Sequence, residues 1–193
     1  YANVPYRIKP YASILSNPYD TIEFDDALDR EIDERVEQMG ADGRLMIDPD
    51  GAVYQVNLAE KVLVTLLSKI SNFIPDTGIW MNTQRPEWND ANNALVGTGV
   101  SVVTLCYLHR FLGQAVVLFE DLEIDTIELS QEVAQLLTDV AGVLGEHQAS
   151  LVSGPVSNML RKQVMQALGT AAETVSWAVT VRRAPLQYST DRY

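Results

Sequence analysis

The chain has 193 residues, 47% hydrophobic, 21% charged and 8% aromatic, which supplies one sizeable core and excludes the low-hydrophobicity class of disordered chains. A net charge of −12 and a pI near 4.5 repel a phosphate backbone, and the adjoining pairs Arg161-Lys162 and Arg182-Arg183 fall short of a basic stripe. Nucleic acid is therefore not an expected partner. The single Cys106 lies in the apolar run Val102 to Leu108, reads as a small buried hydrophobe and precludes an internal disulfide. The sequence reads as having no apolar run of transmembrane length, so no membrane association is expected, and a cytoplasmic setting is favoured over a secreted one.

Residues 1–24 carry Pro5, Pro10 and Pro18 among several tyrosines and read as an extended N-terminal arm. From Asp25 to Met39, Leu28, Ile32, Val36 and Met39 fall at helical spacing opposite a charged face, and Gly40 is placed to stop the helix. Next, Arg44 to Ile47 and Ala52 to Val56 flank Asp48-Pro49-Asp50-Gly51, which predicts a small hairpin at 44–56 as the only sheet. The aspartates lack the spacing of a calcium loop and read as turn formers.

Asn57, with Glu60 three residues on, resembles a capping box that opens a helix carrying Leu58, Val62, Leu66, Leu67 and Ile70. Residues 76–99 form a long connection, of the kind that often carries function. A third helix, Val100 to Phe119, is apolar nearly all round and is expected at the centre of the core. Residues 125–128 offer a cap for a fourth helix ending at Gly145, and a fifth starts near Pro155 and runs to Val175. The expected fold is all-α: paired amphipathic helices in a helical hairpin array or part of an α/α toroid, with a helical domain over 25–180 and a tail at 181–193. The start at Tyr1 and the odd number of helices suit a portion of a larger catalytic domain.

The long connection holds the chain's densest mixture of aromatic, amide and carboxylate groups: Trp80, Asn82, Arg85, Glu87, Trp88, Asn89, Asp90, Asn92 and Asn93. Sugars need this mixture. Aromatic faces stack on pyranose rings, amides and carboxylates bond hydroxyls, and a carboxylic acid protonates a leaving glycosidic oxygen. On composition alone, the favoured reading is structural: Asn and Asp shape turns and cap the next helix while the tryptophans pack inward.

The run Trp88-Asn89-Asp90, preceded by Arg85-Pro86-Glu87 and followed by a glycine-containing turn and a long apolar helix, resembles the catalytic loop of the cellobiose and chitobiose phosphorylase group. The resemblance implies an α/α-toroid enzyme acting on glycosidic bonds by inversion, with Asp90 as general acid and Trp88 and Asn89 shaping its surroundings. Pro86-Glu87 and Ala91 depart from the small residue and Asp before Trp, and the Cys after Asp, that the phosphorylases carry. Hydrolysis and phosphorolysis both stay open. Glu87 is the local candidate for a second carboxylate, while Trp80, Arg85, Asn92 and Asn93 are candidates for binding an oligosaccharide or glycan.

His109 in the apolar helix reads as a satisfied core histidine and His147 as a surface one, so no metal site is expected. Gly97 and Gly99 lack the remaining residues of a dinucleotide loop or P-loop, and no cofactor is expected. The alternative to an enzyme is a non-catalytic helical interaction or assembly domain. In it the helix from Val100 to Phe119 is covered by another subunit or by the rest of a longer polypeptide.

Overall fold

A computed structural model of the chain describes residues 1–81, 99–122, 126–176 and 183–187. The fold is predominantly helical and divides into two compact units, 1–56 and 57–193.

In the first unit, the expected extended arm folds into β1 (Tyr6–Ile8), α1 (Tyr11–Ser16) and β2 (Ile22–Phe24). The two strands pair antiparallel with Tyr6 opposite Phe24, whose rings meet edge to face at 5.1 Å. Pro10 starts α1 rather than preventing it, because its fixed φ suits a helix N-terminus. Then α2 (Asp26–Met39) forms as its spacing predicts. The Asp25 carboxylate accepts hydrogen bonds from the amides of Ala27 (3.2 Å) and Leu28 (3.0 Å), Ile32 is buried, and Gly40 takes φ 68° at the C-terminal end.

The expected hairpin at 44–56 is reduced to a single bridge, Ile47 to Val53. Its turn forms as expected, with Gly51 at φ 82° and the Asp48 side chain accepting from the amides of Asp50 and Ala52. The flank is shared, however: Arg44 accepts from the Asn3 amide and Met46 donates to Tyr1, so the N-terminus takes hydrogen bonds a longer ladder needs.

In the second unit, α3 (Leu58–Ile70), α5 (Gln131–Val152) and α6 (Asn158–Ser176) build the core around Leu67, Val133, Val140, Val164 and Leu168. A three-stranded antiparallel sheet, β3 (Phe73–Ile74), β4 (Gly78–Trp80) and β5 (Val100–Ser101), has β4 at its centre and leads into α4 (Val102–Asp121). Arg161 ties the start of α6 to the turn after β3, donating to the Pro75 carbonyl at 2.9 Å, while Asp76 accepts from the Val156 amide at 2.7 Å.

Two expectations for this unit are corrected. Residues 126–130 form β6 (Thr126–Ser130), paired antiparallel with β7 (Arg183–Gln187) inside the expected tail, so they do not cap α5. A strand partner more than fifty positions away in sequence leaves no local signal. Moreover, α5 runs through Gly145 to Val152, since the cost of about 1 kcal/mol for an interior glycine is outweighed by the packing of Val143, Leu144 and Leu151 on either side. The expectation of a predominantly helical fold with paired helices holds, while the single expected hairpin gives way to three small sheets among the described residues. Among the described residues no sheet exceeds three strands and no ring of helices closes.

Candidate interaction surface

The helix α4 departs most from what its sequence predicts. Expected at the centre of the core, it buries only Leu108. Val103 is 66% exposed, Tyr107 67% and Val117 56%, and Val102, Val116 and Leu118 are exposed as well. The core cluster draws on α3, α5, α6 and Phe73 and includes no residue of α4. At 20 residues, α4 is long and apolar enough by length and composition to cross a membrane, which corrects the expectation that no run is. Thr104, His109, Arg110 and Gln114 punctuate the run without lowering its overall character enough to exclude it.

Between α3 and α4 lies an open groove of about 700 Å³. Its α3 wall is Leu58, Lys61, Val62, Thr65, Leu66 and Lys69, a single stripe at helical spacing. At 100° per residue this stripe lies opposite the one formed by Leu63, Leu67 and Ile70, which faces the core. The α4 wall is Thr104, Tyr107, Leu108, Phe111 and Gln114, again one stripe, with Arg110 at its margin. A second apolar cavity of about 220 Å³ is lined by Val62 and Leu66 of α3, Leu112 and Phe119 of α4, and Ile127, Leu129 and Leu137 of β6 and α5.

The charges on the groove are of one sign. Lys61, Lys69 and Arg110 line it, no acid does, and none of the three has an ion-pair partner among the described residues. The one acidic side chain within α3, Glu60, points elsewhere. It is 2% exposed and accepts from the Ser130 amide at 2.8 Å and from the Ser130 hydroxyl. The expected capping box is thus half formed: the Asn57 side chain accepts from the Glu60 amide (2.8 Å) and donates to the Glu128 carbonyl (2.6 Å), while the Glu60 carboxylate anchors the β6–α5 junction.

Of the residues expected to handle a glycan, only Trp80 is described. It ends β4 half-buried, donates from its amide to the Asn72 carbonyl at 2.8 Å and pairs with Val100 across the ladder. The Met81 amide donates to Gly99 at 3.3 Å, so the sheet brings together the two ends of the segment between them. Arg85, Glu87, Trp88, Asn89, Asp90, Asn92 and Asn93 lie outside the described residues. Cys106 and His109, expected in the core, are exposed on α4, and His147 is half-buried. Both corrections share the cause that α4 is uncovered.

The groove cations were not among the candidate residues of the sequence. The available signal was that the apolar positions of α3 form two stripes on opposite faces rather than one, so that a single core contact leaves one stripe over. No protein-family model and no curated protein matches this sequence.

Proposed function

We propose that the second unit is a helical interaction or assembly module and that α4 is its contact element. The observation that supports this is the exposure of an apolar helix beside a core cluster to which it contributes no residue. Soluble domains rarely leave a contiguous apolar face of this size to water, and where they do it marks a contact with another surface. A protein surface suits α4 better than a bilayer: His109 and Arg110 sit mid-helix, where an arginine costs about 2.5–3.5 kcal/mol at the bilayer centre. The test is Val103→Glu with Val117→Glu, two exposed positions outside the groove. Sedimentation velocity should show concentration-dependent self-association of the unmodified chain, weakened in the variant, with thermal stability unchanged. A large drop in melting temperature means that these side chains are buried by the chain itself, and the proposal falls.

A second reading rests on the β4–β5 pairing and on the Trp88-Asn89-Asp90 run between those strands. In it the segment belongs to a carbohydrate-active enzyme of the inverting type, Asp90 protonates the leaving oxygen, and Glu87 or a group elsewhere supplies the second carboxylate. Trp80, at the end of the central strand β4, then contributes to a sugar-stacking wall. Asp90→Asn in a glycan-cleaving form of the protein should abolish turnover and leave folding intact; undiminished turnover removes this reading.

A further inference from the structure

Resting on the assembly reading, the charges and spacing of the groove specify what fills it. We infer that the groove between α3 and α4 receives an amphipathic helix of a partner protein, with acidic residues bordering the helix's apolar face.

Each wall is one helical stripe with apolar members at i, i+4 and i+8 on α3 (Leu58, Val62, Leu66) and at i, i+1 and i+4 on α4 (Tyr107, Leu108, Phe111). Two such walls form the ridges between which a third helix packs, reading the groove with residues spaced three and four apart.

The charges identify the kind of helix. The chain carries 26 acidic and 14 basic residues, yet the groove presents Lys61, Lys69 and Arg110 and no acid. Such a concentration of positive charge against the net charge of the whole favours a negatively charged partner. Lys61 and Lys69 are eight residues apart on one face of α3, about 12 Å along the axis at 1.5 Å per residue. A fatty acid or lipid places its charge at one end, so it meets one of these ammonium groups and leaves the other. A helix with acids about two turns apart meets both, and Arg110 receives a third from the opposite wall.

The test uses the full 193-residue chain and two synthetic helical peptides with the same leucine and isoleucine stripe, one bordered by glutamate and one by lysine. Fluorescence anisotropy should give the glutamate peptide a Kd at least about ten-fold below that of the lysine peptide, with the gap narrowing as salt rises. In the variant Lys61→Glu, Lys69→Glu and Arg110→Glu the order should reverse. These residues are exposed, and circular dichroism before and after substitution checks that the helices persist. Equal binding of the two peptides overturns the charge assignment while leaving the assembly reading to its own sedimentation test. Binding to phosphatidylserine vesicles with neither peptide bound overturns the helix in favour of a membrane surface. Binding of neither peptide nor vesicles also overturns it.

Discussion

Gly78 shows how much one residue carries at the sheet that holds Trp80. Its φ of 155° lies where side chains are rarely tolerated, and a Cβ there meets the Ser101 carbonyl oxygen at 3.0 Å, across the ladder that leads into α4. Gly78→Ala is expected to cost about 1–3 kcal/mol, read from chemical denaturation. Glu60 carries a comparable share at the β6–α5 junction. Replacing it by alanine leaves the buried Ser130 amide and hydroxyl without their carboxylate, and an expected loss of about 1–3 kcal/mol should appear as a lower denaturation midpoint.

Asp25 adds a pH dependence to the first unit. The Leu28 amide, followed by the Arg7 guanidinium at 2.8 Å and the Ala27 amide, holds its carboxyl below the ordinary aspartate value. A depressed folded-state pKa means that the stabilisation is present above the unfolded value and is lost as pH falls through the folded one, a window below about pH 4. Asp25→Asn keeps an oxygen for the two amides but no charge for Arg7. Thermal melts followed by circular dichroism across that window should therefore be less steeply acid-sensitive in the variant.

At the scale of elements, the helices differ in what holds them. In α2 the cap, the apolar stripe and the glycine stop all agree, and its observed bounds match the spacing of its residues. In α6 the buried Val164 and Leu168 tie it to α3 and α5, so Leu168→Ala is expected to cost about 2–5 kcal/mol in a urea titration. Equivalent truncations on α4 should differ in kind. Val103 and Val117 make no comparable core, and their replacement should change association rather than folding.

For the molecule as a whole, net charge and uncovered surface oppose each other. At neutral pH a charge of −12 opposes the association of chains, whereas near the pI of about 4.5 that repulsion vanishes and the apolar face of α4 drives association more strongly. Light scattering should rise as pH approaches this value, and the Val103→Glu, Val117→Glu variant should scatter less than the unmodified chain at matched distance from its own pI. Equal scattering from both would place the association on another surface.

The sequence by itself determined the elements whose information is local. The Asn57 cap, the stripes of α2 and α3, the Asp48 to Gly51 turn and the existence of long later helices rest on contacts a few residues apart, which periodicity and turn chemistry report directly. The tertiary structure decided everything that needed a distant partner. Thr126 to Ser130 became a strand because residues 183–187 pair with it, and Glu60 turned from its own helix end to Ser130 seventy positions away. Above all, an apolar helix announces that it must be covered but not by what: α3, α5 and α6 supplied the core cluster, and α4 was left outside it beside three cations that no periodicity could assemble into one groove.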